Sequence, residues 1–214
     1  INQHTKSYPY PLPHTKDLIA KLQGQTYFAS LDCRSGFQQF SLSENAKKFT
    51  TFTCPVGLFR FLRIPEGLRN ASSYFQQQMT TILAGLINVT CLVYVDDIIV
   101  FSTSKESFIV NLQQVLTRLE EHQIQLKLDK CLFGLKEVNY LGHICSGAGV
   151  ALSLQRKEAI KNLKIPSTLA QLRSFLGFVN YLRDFIRDFA VIVHPLQLLN
   201  NTQTNFASQW STDH

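Results

Sequence analysis

Two adjacent carboxylates, Asp96 and Asp97, stand between two strongly apolar stretches, Cys91-Leu92-Val93-Tyr94 and Ile98-Ile99-Val100-Phe101. Like charges side by side repel, and setting them beside a core raises the cost. One reading is a solvated hairpin turn, since Asp is a good turn residue. The other is a bound cation that offsets the repulsion. Asp32 supports the second. It too ends an apolar stretch, Thr26 to Leu31, just before the turn Cys33-Arg34-Ser35-Gly36-Phe37. If that strand pairs beside the 91–101 hairpin, three carboxylates converge. Oxygen-only ligation suits Mg²⁺ or Mn²⁺. Carboxylates holding two such ions ~3.5–4 Å apart serve in-line phosphoryl transfer. Successive side chains on a strand point to opposite faces. The turn must therefore twist one of Asp96 and Asp97 round, and on that ground Asp32 and Asp96 rank above Asp97.

Periodicity and punctuation outline the elements that position these residues. Three alternating prolines make residues 7–13 extended. Thr15 caps a short helix with Leu18, Ile19 and Leu22, and Gly24 sits where a helix C′ residue should. Residues 49–64, rich in Phe and Thr and broken at Pro55-Val56-Gly57, read as a hairpin. Asn70 caps a helix whose face carries Tyr74, Phe75, Met79, Ile82, Leu83 and Leu86. Phe108, Leu112, Val115, Leu116 and Leu119 form the clearest amphipathic helix. Strand patterns follow near 124–128 and 138–145, closed by Ser146-Gly147-Ala148-Gly149. Beyond them the chain turns helical and basic. Ser153 caps one helix; Thr168 and Gln171 have capping-box spacing for a second that turns Leu169, Leu172, Phe175, Leu176, Val179, Leu182, Ile186 and Phe189 inward. The boundary between a mixed α+β body and this basic end falls near 146–152.

Composition bounds the class. The 214 residues are 45% apolar and 17% charged, which suits one sizeable core or two modest ones and excludes a disordered tail. No apolar run approaches the ~18 residues of a membrane span. The start, Ile1-Asn2-Gln3-His4, has no signal-peptide pattern and no Met, so the chain reads as part of a longer protein. Five scattered cysteines, with no CxxC and no His pair at finger spacing, argue against zinc and for buried, reduced thiols. The net charge of +6 suggests a polyanionic partner. Residues 153–190 hold seven Lys/Arg against three acids, and so four of those six charges.

Several motifs then fall in one order. They are Leu31-Asp32-Cys33-Arg34-Ser35-Gly36-Phe37; Pro65-Glu66-Gly67-Leu68-Arg69-Asn70-Ala71 with Phe75-Gln76; Tyr94-Val95-Asp96-Asp97; Lys130-Cys131-Leu132-Phe133-Gly134; Tyr140-Leu141-Gly142-His143; and Leu172 to Tyr181. Together they resemble the reverse transcriptase of Ty3/gypsy-type long-terminal-repeat retrotransposons along essentially the whole chain. The resemblance implies an α+β, right-hand polymerase fold. Partial fingers (about 40–69) and a palm with an antiparallel sheet would fill 1–149, a helical thumb 150–200, and the start of a tether toward an RNase H domain 201–214. It implies an RNA-directed DNA polymerase in which Asp32, Asp96 and Asp97, with the carbonyl of Cys33, hold two Mg²⁺ ions that Mn²⁺ can replace. The amides of Ser35 and Gly36 would receive the dNTP triphosphate. Phe37 would be the steric gate against a 2′-OH, and residues 140–143 the primer grip. Lys157, Lys161, Lys164 and Arg173 would contact phosphates of an RNA/DNA template-primer duplex. RNase H and integrase domains are expected in the parent polyprotein, in intracellular, cytoplasmic particles with the nucleus as alternative.

The pattern departs from the family at three places. Glu66 puts a carboxylate beside the nucleotide pocket, where it would repel a triphosphate and compete for metal. The fingers strands that carry a triphosphate clamp in relatives are expected ahead of Ile1, and the RNase H domain is expected beyond the chain's end. The alternative is therefore a catalytically impaired nucleic-acid-binding remnant. A metal-dependent nuclease could use the same carboxylates, but the motif order does not suggest it.

Overall fold

The computed structural model describes residues 1–201. In chain order these form α1 (Thr15–Leu22), β1 (Tyr27–Asp32), α2 (Glu44–Phe49), β2 (Thr51–Cys54), β3 (Gly57–Arg60), α3 (Ala71–Ile82), β4 (Cys91–Tyr94), β5 (Asp97–Ser102), α4 (Lys105–Glu121), β6 (Leu132–Leu135), β7 (Glu137–Tyr140), β8 (His143–Ser146), β9 (Gly149–Leu152), α5 (Leu154–Lys161), α6 (Leu169–Tyr181) and α7 (Phe189–Asn201). The tether expected from residue 201 lies outside the described residues beyond Asn201.

The central sheet is antiparallel in the order β4-β5-β1-β6. Its inner strands are apolar at nearly every position because both faces are covered. On one face Ala29, Leu31, Val93, Ile98 and Val100 pack against Phe75, Met79 and Ile82 of α3 and Phe108, Val115 and Leu119 of α4. On the other, Phe28, Leu92, Ile99 and Phe101 meet Leu18, Ile19 and Leu22 of α1 and Val138, Tyr140 and Cys145 of the β7–β8 hairpin. The consecutive Ile98 and Ile99 are thus both fully buried, on opposite faces. Each contributes about 1.5–3 kcal/mol of burial. All five cysteines are free thiols, and four of them are buried.

Local expectations fail where a distant partner takes over. His14, not Thr15, occupies the N-cap of α1. Asn70 makes no cap bond to α3; its side chain instead accepts from Tyr8 N–H at 3.0 Å and donates to Lys6 C=O at 2.8 Å. Residues 124–128 form no strand. They touch the turn after β1 through one bridge, Cys33 to Leu126, and the edge strand is β6. The 138–145 pattern is two strands, folded at Leu141-Gly142. The sheet also continues past Ser146, since β9 pairs with β8.

The described chain divides into two compact units, Ile1–Lys157 and a second that starts at Glu158. In the second, Thr168 Oγ1 accepts from Gln171 N–H at 3.2 Å, as the spacing predicts. The reciprocal bond goes one residue earlier, from Ser167 N–H to Gln171 Oε1. The helix does not run to Phe189: it stops at Tyr181, and Phe189 begins α7. Leu172, Leu196 and Leu199 form the core of this helix pair. No described helix is long and apolar enough to cross a membrane.

Candidate functional site

Asp32 is the last residue of β1, and the register sets it opposite Asp97, the first residue of β5. Directly opposed residues of an antiparallel pair share a face. The two carboxylates therefore extend the face that carries Phe28, Ile99 and the β7–β8 hairpin. Asp96 stands at the corner between β4 and β5. Val95 beside it has φ +52°, a left-handed conformation that costs a β-branched residue about 1–2 kcal/mol. This is the twist that the doublet requires. It separates the pair differently from the ranking above, since Asp97 is the residue that faces Asp32.

Asp96 Oδ1 is buried and has no hydrogen-bond partner among the described residues. It lies over Gly36, where an added Cβ would come within 2.8 Å of Oδ1 and 3.0 Å of the Phe75 ring. Gly36 is thus a clearance for the carboxylate. It opens a 3₁₀ turn, Gly36–Gln39, entered through Ser35 at φ 48°. Phe37 follows, half-buried, and meets Phe75 edge to face at 5.5 Å. Burial raises the Asp96 carboxyl above its ordinary value, and the charges of Asp97, Asp32 and Glu66 add to this. Burial and Asp32 raise Asp97 likewise. Burial and the same aspartates push the Cys33 thiol up to about 12. Lys130 Nζ lies 3.9 Å from Asp32 Oδ2, too exposed a pair to cancel the repulsion.

An acidic, oxygen-only donor set with mutual repulsion and one orphaned buried oxygen fits a hard divalent cation. Among the described residues no three His, Cys, Asp or Glu side chains are grouped closely enough to hold a metal ion, so Asp32, Asp96 and Asp97 do not converge as a three-carboxylate ligand set.

The second motif cluster is the β7–β8 hairpin. Its two-residue corner, Leu141 at φ 51° and Gly142 at φ 79°, has both centres left-handed, as the twist-matched hairpin turn requires. Tyr140 and His143 flank it and are buried, so the corner itself is what the hairpin presents. The Tyr140 hydroxyl has no hydrogen-bond partner among the described residues, and burial and the charge of Asp97 raise its pKa. Arg156 Nη2 donates to Leu141 C=O at 3.0 Å, and its guanidinium fills the space a Gly142 side chain would need. His143 Nδ1 lies 3.1 Å from the same oxygen. Burial and the Arg156 charge lower the His143 pKa.

Of the basic candidates, Lys157, Lys161 and Lys164 are exposed. Arg173 is exposed as well, but its Nε donates to Asn200 Oδ1 at 2.9 Å and ties α6 to α7.

Sequence reasoning gave no role to three residues at these corners. Gln76 bonds the backbone on both sides of Tyr94. Arg156 holds the second corner. Cys131 Sγ accepts from Asp32 N–H at 3.4 Å. Gln76 and Cys131 lie inside the motifs Phe75-Gln76 and Lys130-Cys131-Leu132-Phe133-Gly134, and Gln76 is also a polar side chain on the inward face between Phe75 and Met79; Arg156 is one basic residue of the 153–190 stretch.

Residues 1–145 match the family model described as "Reverse transcriptase (RNA-dependent DNA polymerase)". The chain is 38% identical over 209 residues to the "Retrovirus-related Pol polyprotein from transposon 297" of Drosophila melanogaster, covering 98% of this chain and 20% of that one. It is 36% identical over 196 residues to the Pol polyprotein of transposon gypsy from the same organism, with 92% and 19% covered. Transposon Tf2-3 polyprotein of Schizosaccharomyces pombe is 32% identical over 199 residues, with 93% and 15% covered. The chain thus spans about a fifth or less of these relatives. Among solved structures, a foamy viral protease-reverse transcriptase in complex with double-stranded DNA superposes with a TM-score of 0.87 at 26% identity, covering 100% of this chain and 37% of that one. The foamy viral enzyme in complex with an RNA/DNA hybrid gives a TM-score of 0.77 at 26% identity, with 95% and 28% covered. The right-hand polymerase fold is therefore the fold of this chain. With its motifs, its sheet and the matched family model in agreement, the chain belongs to the reverse transcriptase family.

Proposed function

We propose that the chain is the polymerase core of an RNA-directed DNA polymerase, which joins a dNTP to a primer 3′-OH on an RNA or DNA template by two-metal nucleotidyl transfer. The observation that carries this reading is the Asp32–Asp97 cross-strand pair with Asp96 at the adjoining corner. Asp32, Asp96, Asp97 and the Cys33 carbonyl would hold Mg²⁺, or Mn²⁺ in its place. Bound there, the two ions would lower the pKa of the primer 3′-OH and neutralise the leaving pyrophosphate.

The chain's own residues bind and orient. The amides of Ser35 and Gly36, at the start of a 3₁₀ turn whose first N–H groups lack intrahelical acceptors, receive triphosphate oxygens. Phe37, braced by Phe75, forms the floor under the sugar and excludes a 2′-OH. The Leu141-Gly142 corner, with Tyr140 and His143 packed beneath it, aligns the primer end with the α-phosphate through its backbone. Lys157, Lys161, Lys164 and Arg173 neutralise duplex phosphates without reading sequence. Residues 40–69 serve as fingers, the rest of 1–149 as palm and 150–200 as thumb. The parent polyprotein adds RNase H and integrase domains and works in cytoplasmic particles.

The test is extension of a DNA primer on an RNA template, first in Mg²⁺ and then in Mn²⁺, with Asp96→Asn as control. Extension that drops at least ~10³-fold in the control supports the reading. One observation favours the rival, an impaired remnant: Glu66 contributes to the upward shift at Asp96. On that reading the chain binds duplex in a salt-sensitive way without extending it, and Glu66→Gln raises incorporation in whatever activity remains.

A further inference from the structure

The corner that carries Asp96 is not held by its own hairpin alone. Gln76, on α3 and 2% exposed, reaches it from 19 residues away. Its Oε1 accepts from Val95 N–H at 2.7 Å, and its Nε2 donates to Val93 C=O at 3.3 Å and toward Thr80 Oγ1 at 3.4 Å. A carbonyl can only accept, so the amide has one workable orientation: flipped, it would set donor against donor at Val95. Thr80 Oγ1 in turn donates to Gln76 C=O at 2.8 Å. The helix beneath is fixed by the buried Phe75 and Met79 on either side.

We propose that Gln76 is a positioning residue of the candidate catalytic centre: its amide bridges Val93 and Val95 and holds the strained corner that sets where Asp96 and Asp97 stand. The proposal rests on reading those carboxylates as the catalytic centre. Its chemistry explains why the clamp is neutral. A Lys or Arg would pair with Asp96 and take up oxygens that a cation needs. A Glu would keep the acceptor for Val95, lose the donor to Val93, and add a further negative charge beside Asp96.

The experiment uses the full chain as wild type, Gln76→Met, Gln76→Glu and Asp96→Asn. Three readouts are taken: amide hydrogen exchange at Val95, Mn²⁺ binding by electron paramagnetic resonance, and single-turnover primer extension. In Gln76→Met, with the β1 and β5 amides still protected, Val95 exchange should quicken at least ~100-fold. Mn²⁺ affinity should fall about tenfold, and the extension rate about tenfold with the dNTP KM moved less than ~threefold. Gln76→Glu should restore Val95 protection, and it decides the question if the Met variant does not fold. Val95 exchange unchanged in a folded Gln76→Met protein would overturn the proposal. So would unchanged Mn²⁺ affinity in that variant when Asp96→Asn lowers it. If wild type extends no primer, the polymerase reading fails, while Val95 exchange and Mn²⁺ affinity still decide the role of Gln76.

Discussion

The β4–β5 and β7–β8 hairpins close on the same plan and are held by opposite chemistry. Each turns on two residues, and each places a bulky side chain at positive φ, Val95 at 52° and Leu141 at 51°. Each corner is tied by one side chain from a helix, Gln76 at 19 residues' separation and Arg156 at 15. The first clamp is a neutral amide and the second a cation. What each corner carries explains the difference. Carboxylates crowd the first and raise one another's pKa, so a cationic clamp would compete for their oxygens. The second presents a backbone carbonyl, which gains from a charged donor.

The largest effect that would break this contrast is expected at Gly36. Gly36→Ala places a methyl against Asp96 and Phe75 without touching either clamp. Primer extension should fall at least ~100-fold, the scale on which a small misplacement acts in catalysis. Extension within a factor of ~3 of wild type would mean that the corner tolerates displacement. The matched change at the second corner is Gly142→Ala, read with Arg156→Ala as a double-mutant cycle. Each single change should cost about 1.5–3 kcal/mol in urea melts. Gly142→Ala should cost about half as much once Arg156 is gone, because only the backbone strain then remains. Full additivity would show that the guanidinium does not fill the Gly142 space.

Acid should separate the corners by sign. His143 binds its proton less readily folded than unfolded. Its contribution to stability is complete above the ordinary imidazole value of ~6.5 and is lost as pH falls below it. Asp96 and Asp97 bind protons more readily folded than unfolded. Their contribution is complete below the ordinary carboxylate value of ~3.9 and is lost as pH rises through their raised values. In thermal melts of the metal-free protein, His143→Gln should therefore flatten the decline between about pH 7 and 5. Asp96→Asn should raise Tm at neutral pH by about 2–4 °C. The smallest expected effect is at Val95→Gly. Relief of left-handed strain and the extra chain entropy of Gly nearly cancel, so stability should move by less than about 1 kcal/mol. A larger loss would mean that the Val95 side chain, rather than Gln76, holds the turn.

Much of this centre was legible before folding. Asp32, Asp96 and Asp97 stand out because charges at the ends of apolar strands are costly, and that cost is visible in one dimension. The hairpin at Pro55-Val56-Gly57 and the periodic helix α4 were legible for the same reason, since their signals lie within a few residues. Residues 124–128 misled because a run that touches the sheet through one bridge has the same local pattern as a strand. Asn70 misled because its side chain had a better use 62 to 64 residues away.

The sequence by itself singled out Asp32, Asp96 and Asp97 as candidates and required a turn that parts Asp96 from Asp97. Alternation and apolar flanks are local properties, and they survive without a fold. Only the tertiary structure decided that Asp97 faces Asp32, that Gly36 clears Asp96, and that Gln76 and Arg156 hold the two corners. Register and side-chain-to-backbone bonds across tens of residues depend on which strand finds which partner. That choice is made by the packing of both faces of the central sheet.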